Sequence, residues 1–246
     1  VTISHSVNPS LHKKLPYDIV RDFAPVSLLI EYPFLLTVHP SLPAKSVNEL
    51  IAYAKTKPGQ INYASNGVGG GAYLCTELLN SMAGIKLAHV PYKSTAAAIA
   101  GTVGSETGVA FYSASAALSN VKAGRLRALG ITGKKRSPSF PELPTVAEAA
   151  NLPGYEMSGW TGLVAPLGTP KPIIDKLHAE MKRIAALPDV KERLVTLGAE
   201  PSNMTPEQFA QWVKTEIPAM AKIVKDEKIT AEVYRRIKGD LVSPLD

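Results

Sequence analysis

The chain has 246 residues, 45% of them hydrophobic and 20% charged, with a formal net charge of +6. That balance excludes a disordered chain and a coiled coil, and the length suits one large domain or two small ones. The basic residues are dispersed, and the longest run, Lys134-Lys135-Arg136, is too short for a nucleic-acid-binding tail. No stretch reaches the ~18 consecutive apolar residues of a membrane span. The longest candidate, Val26 to Val38, is broken by Glu31, Tyr32 and Pro33. The opening Val1-Thr2-Ile3-Ser4-His5 has neither the basic nor the apolar region of a signal peptide and no initiator Met, so the chain reads as a processed product or a fragment. Cys75 is the single cysteine, which excludes an internal disulfide and a thiolate metal cluster, and it reads as a small core residue.

Residues 1–38 offer one or two strands. Ser46-Val47-Asn48-Glu49 is a capping-box start for a helix whose stripe is Leu50, Ile51, Tyr53 and Ala54, and Pro58-Gly59 ends it. Ile61 to Ala64 is a strand, followed by a Gly-rich loop and a helix from Ala72 to Met82 that Gly84 stops. Lys86 to Val90 is a strand, Thr95 to Val103 a helix, and Thr107 to Tyr112 a strand with a helix through Ala123. Arg125 to Thr132 is the most strand-like segment. This alternation predicts parallel α/β construction. A Pro-rich connector from Gly133 to Gly154 holds a short helix at Thr145 to Ala150, and Tyr155 to Val164 is apolar and extended. Long helices follow over Lys171 to Leu187, Asp189 to Leu197 and Pro206 to Lys228, the last capped by Thr205 with Pro206 first and kinked at Pro218. The tail, Thr230 to Asp246, has mixed polarity and no clean core face.

Phe34 to Val38 and Gly159 to Val164 read as two extended crossovers bracketing the α/β block. Two lobes joined by two strands follow: an outer lobe over 1–38, a central α/β lobe over 39–158, and the rest of the outer lobe with the C-terminal helices over 159–246.

The sharpest chemical feature is Ala64-Ser65-Asn66-Gly67-Val68-Gly69-Gly70-Gly71-Ala72 between a strand and a helix. Glycines let backbone approach a ligand, and a helix start offers unpaired N–H groups with positive dipole. An anion cradle and a plain tight turn both fit, but a Walker loop does not, since no Lys-Ser/Thr follows. At the next strand-to-helix junctions, Tyr92, Lys93 and Ser94, and then Tyr112 and Ser113, sit where strand carboxyl ends face a ligand crevice. Helix capping alone also accounts for Ser113, and His89 on its apolar strand reads as a core histidine. No nucleophile elbow occurs, the five histidines lack metal spacing, and no carboxylates pair at strand ends. The chain is read as a binder, with no catalytic residue, cofactor or metal.

At the Gly-rich loop a resemblance becomes specific. Ala64-Ser65-Asn66-Gly67-Val68-Gly69 with His89-Val90-Pro91-Tyr92-Lys93 resembles the substrate-binding proteins of tripartite tricarboxylate transporters, the Bug family. Leu15-Pro16-Tyr17-Asp18, Asp22-Phe23-Ala24-Pro25-Val26, His39-Pro40-Ser41-Leu42-Pro43, Ala123 to Leu129, Gly162 to Pro166 and Gly168-Thr169-Pro170 continue it over residues 2–228. The resemblance implies a type II periplasmic binding-protein fold, α/β in class, whose two lobes close on a small organic carboxylate. It implies a periplasmic receptor that passes its ligand to membrane permease subunits, without nucleic-acid binding or membrane insertion. The alternatives are an enzyme with a Gly-rich phosphate loop, or a sensory or degenerate binding domain. Carried over by position, the ligand-binding residues are Ser65, Asn66, Gly67, Gly69 and Gly70, then Lys93, Ser94, Tyr112 and Ser113, with Ser4 and His5 at the start of an outer-lobe loop. Tyr112 stands where the family often has Asp, which argues against an amino-acid ligand. The resemblance also implies a first strand, loop and helix ahead of Val1, so the outer lobe is expected to be incomplete.

Overall fold

A computed structural model describes residues 1–229 except Asn203 and Glu227, so the tail from Thr230 lies outside the described residues. The chain opens with helix α1 (Ile3–Leu11) and then the long strand β1 (Phe23–Val38). This corrects the purely extended reading of the first residues, and it places Ser4 and His5 in a helical turn rather than a loop. The Ser, His, Asn and Pro content of α1 gives little local helix signal. Ile3 and Val7, four apart, are buried on one face, and the helix packs on the C-terminal helix.

The expected alternation follows: α2 (Val47–Thr56), β2 (Asn62–Ser65), α3 (Gly71–Ala83), β3 (Ala88–Pro91), α4 (Thr95–Val103), β4 (Val109–Ser113), α5 (Ala114–Lys122) and β5 (Arg127–Ile131). Ser46 caps α2 by accepting the Glu49 N–H at 3.2 Å, but the Glu49 carboxylate reaches past Ser46 to the Lys45 N–H at 2.8 Å. Gly84, at φ 61°, ends α3 in the left-handed region. Next come α6 (Val146–Ala150), β6 (Ser158–Pro166), α7 (Lys171–Ala185), α8 (Pro188–Thr196), β7 (Glu200–Pro201) and α9 (Pro206–Asp226), which runs through Pro218. Reciprocal side-chain caps start α6, from Thr145 and Glu148, and α9, from Thr205 and Gln208.

One strand belongs to two sheets. From Phe23 to Pro33, β1 pairs antiparallel with β6, and Ile30 and Glu31 also pair with β7. From Phe34 to Val38 it pairs antiparallel with β4, and from Leu35 with β5 on its other side. Pro33, which has no N–H to donate, stands at the change. The inner sheet runs β3-β2-β4-β1-β5, with β2 parallel to both β3 and β4. The four inner strands therefore share one direction, as predicted, and the correction concerns β1 alone, which arrives from the other sheet and wedges in antiparallel. The apolar core spans this crossing, from Leu36, Val38 and Leu79 beside the inner sheet to Trp160 and Phe209 beside α9.

Thr132 closes the crossing. Its hydroxyl accepts the Phe34 N–H at 2.9 Å and donates to the Met157 carbonyl. Its backbone N–H donates to Phe34 O at 3.0 Å, and its carbonyl accepts from the Met157 N–H at 3.1 Å. One fully buried residue thus ties the turning point of β1 to the start of β6. Thr132→Val keeps the shape but strands a buried N–H and a buried carbonyl. It is expected to cost about 1–3 kcal/mol in urea unfolding; an unchanged unfolding midpoint would show that the clasp carries no weight.

Candidate functional site

A cavity of about 170 Å³ opens where β1 changes sheets. Its lining is drawn from the starts of four helices: Thr2 ahead of α1 with Ile3 and Ser4 in it, Gly71 and Ala72 of α3, Thr95 of α4, and Ser113 ahead of α5. Tyr32 and Phe34 from β1, Asn66 from the Gly-rich loop and Phe111 and Tyr112 from β4 complete it. No lining side chain carries a charge. The first turns of α-helices have N–H groups without helical partners, and their dipoles add positive potential. The caps of α3 and α5, Gly70 and Ser113, make no side-chain cap bond, which leaves those groups open. The open starts of α3 and α5, with those of α1 and α4 beside them, give this polar space the geometry and potential that suit a small anion.

The aromatic wall needs glycine opposite it. Tyr32 and Phe34 meet edge to face at 5.6 Å. A Cβ on Gly71 would stand 2.2 Å from Phe34 Cζ, so only glycine lets α3 begin this close to β1.

Of the residues singled out in the sequence, Ser4, Asn66, Tyr112 and Ser113 meet at this cavity. The Tyr112 hydroxyl, however, is bonded to Thr102 Oγ1 at 2.9 Å, and burial pushes it up to about 12. Ser113 Oγ lies 2.9 Å from Ser115 Oγ. Gly67 and Gly69, at φ +116° and +80°, shape the loop, and Gly70 begins α3. Ser65 is fully buried behind the loop, its Oγ 2.7 Å from His89 Nε2. Lys93 is exposed and outside the lining, and Ser94 caps α4 by accepting the Ala97 N–H at 3.2 Å. His5 accepts the Thr2 N–H through Nδ1 at 3.1 Å and packs near Tyr17. Tyr92 bonds Glu106 at 2.9 Å on the rim of α4 rather than facing the cavity. Sequence reasoning missed Thr2, Tyr32, Phe34 and Thr95. The period-2 spacing of Tyr32 and Phe34 on a crossover strand was the available signal.

His89 is the core histidine expected, 5% exposed between Tyr63 and Tyr73 at 4.9 Å from each ring. Burial lowers its pKa to about 4. Tyr63 donates to Glu77 at 2.6 Å, and burial raises the Glu77 carboxyl.

The crossing strand shared by two sheets, with a polar cavity at the crossing, defines a periplasmic binding-protein fold. The profile of the tripartite tricarboxylate transporter family receptor matches residues 1–229, and the chain belongs to that family. BugT of Bordetella pertussis (strain Tohama I) is 33% identical over 221 residues, covering 90% of this chain and 68% of BugT. Among solved structures, R. palustris Rpa4515 with adipate superposes with a TM-score of 0.90 at 32% identity, over 94% of this chain and 77% of that one. MatC from Rhodopseudomonas palustris with bound malate gives a TM-score of 0.84 at 33% identity, over 91% and 77%. The chain thus spans about two thirds of the length of BugT and about three quarters of these two solved chains.

The lowered pKa of His89 has a stability consequence with a definite sign. Below its ordinary value near 6.5 the unfolded chain takes up a proton that the folded chain refuses down to about 4, so this residue costs stability as the pH falls between them. The partly buried carboxyls of Glu31, Glu77 and Glu216, all raised, act in the opposite direction. The stability of the native protein minus that of His89→Gln isolates the histidine. In urea unfolding it should fall by roughly 2–3 kcal/mol between pH 7 and pH 4.5; a constant difference would contradict the neutral buried imidazole.

Proposed function

We propose that this chain is a periplasmic receptor that captures a small organic dicarboxylate at the β1 crossing and hands it to the membrane subunits of a tripartite carboxylate transporter. The observation that carries the reading is the uncharged cavity ringed by the starts of α1, α3, α4 and α5. In this reading Asn66, Ser4, Thr2, Thr95 and Ser113 contact the ligand with the N–H groups that open α3. Tyr32 and Phe34 flank its carbon chain. Gly67, Gly69 and Gly70 set the loop, Ser65 lies behind it, and Lys93, Ser94 and His5 border the site without lining it. The adipate of Rpa4515 and the malate of MatC, bound by relatives of the same fold, support the ligand class.

The lobes of the proposal follow the two sheets, with the break in β1 at Pro33 rather than after Val38: residues 34–157 form one, and 1–33 with the segment from 158 form the other. The cavity lining offers no carboxylate to a ligand's ammonium group and no charged acid–base pair, which favours a simple organic acid and no catalysis. Among the described residues, no helix is long and apolar enough to cross a membrane, so the transporter contact is assigned to separate subunits.

Isothermal calorimetry tests this directly. Adipate or malate should give saturable heat while inorganic phosphate and nucleotides give none. Ser113→Asp, which puts a negative charge at the cavity, should weaken the carboxylate at least tenfold, about 1.4 kcal/mol. Silence with every mono-, di- and tricarboxylate, or an affinity indifferent to Ser113→Asp, would overturn the reading.

A further inference from the structure

Behind the Gly-rich loop lies a buried pair that no cavity contact explains. Ser65 Oγ accepts the Gly67 N–H at 3.0 Å, lies 3.3 Å from the Gly67 carbonyl oxygen and 2.7 Å from His89 Nε2. His89 Nδ1 is buried without a partner. A serine hydroxyl has one proton and two lone pairs, and a neutral imidazole one proton on either nitrogen, so only two arrangements are open. With the imidazole proton on Nδ1, Ser65 must donate to Nε2. A buried N–H then has no acceptor, and the Gly67 carbonyl receives nothing from the hydroxyl. With the proton on Nε2, the imidazole donates to Ser65, Ser65 donates to the Gly67 carbonyl, and only a lone pair on Nδ1 is unmet. A buried N–H left without an acceptor is the rarer and costlier defect.

We propose that His89, in its Nε2–H form, is a positioning residue for the ligand loop: it orients the Ser65 hydroxyl so that one side chain clamps both the N–H and the C=O of Gly67. Gly67 sits at φ +116°, where a glycine backbone is otherwise free to wander. Its carbonyl also accepts the Gly70 N–H at 3.3 Å, so the clamp extends to the residue that caps α3 and fixes the N–H groups that open onto the cavity. Tyr63 and Tyr73, stacked and tilted against the imidazole, hold the ring in place. Ser65, chosen from sequence as a ligand donor, acts instead on the loop's shape. The functional weight of this clamp rests on the carboxylate-receptor reading, while the clamp itself does not.

The test uses the ligand-free protein first. Long-range proton–nitrogen NMR of the His89 ring should show Nε2 protonated at neutral pH; an Nδ1–H signature would overturn the proposal without any variant. His89→Phe keeps a ring between the tyrosines and removes the donor. Amide exchange at Gly67 and Gly70 should then rise about tenfold, the weight of one such hydrogen bond, with exchange in β4 and α9 unchanged. Adipate affinity should fall by a similar factor. Ser65→Ala should do the same, and the double variant should add little to either single one, as expected for partners in one network. Unchanged exchange at Gly67 and Gly70 in a folded His89→Phe would refute the clamp. Should the native protein bind no mono-, di- or tricarboxylate, the receptor reading falls, and the ring and amide measurements still decide whether the clamp exists.

Discussion

Thr132 makes four hydrogen bonds, two through its side chain and two through its backbone, to residues nearly a hundred positions before it and about twenty-five after it. All four meet at the place where β1 leaves one sheet for the other and β6 begins. A strand that changes sheets has backbone groups that neither ladder satisfies, and burying them unpaired is costly. The Thr132 clasp supplies the missing partners. Because it fixes Phe34, it also fixes the aromatic wall of the cavity and the distance at which α3 can begin. Gly71 allows that approach, and the starts of α1, α4 and α5 close around it. The change of sheet and the aromatic wall of the cavity are therefore built from the same few residues of β1.

The electrostatics of the cavity follow from this placement. A single lysine or arginine could attract an anion more strongly, but it would impose one point charge and one geometry. Helix ends distribute a weaker positive potential over several fixed N–H groups and leave the side chains neutral. In the proposed function such a site takes a carboxylate without a buried countercharge that would need neutralising when the site is empty. The net charge of +6 adds a long-range attraction for anions that salt would screen.

Much of the architecture was legible because its signals are local. The Thr145–Glu148 and Thr205–Gln208 pairs mark helix starts within four residues, and Gly84 marks a stop by its own φ. The Gly-rich loop marked a strand-to-helix turn, and the fold and family followed from the motifs around it. What stayed hidden depends on partners far away in the sequence. Helix α1 is polar and carries Pro9, and it is held by α9, some two hundred positions later. The sheet change in β1 requires β4, β5 and β6 to be in place. Ser65 and Lys93 looked like ligand donors because both stand at strand ends. The first is turned inward by a histidine 24 residues away, and the second lies outside the lining, where Thr95, two residues on, takes the place. Which residue of a strand-to-helix junction points inward is set by the first helical turn, and residue type does not report it.

In the proposed function an organic dicarboxylate is held by the backbone at the starts of these helices. Titration of the nitrogen-15-labelled protein with adipate, followed amide by amide, tests it most directly. Saturable shifts concentrated at Ser4, Gly71, Ala72, Thr95 and Ser113 are expected. Saturable shifts confined to the basic loop at Lys134, Lys135 and Arg136, with those five amides unmoved, would contradict it.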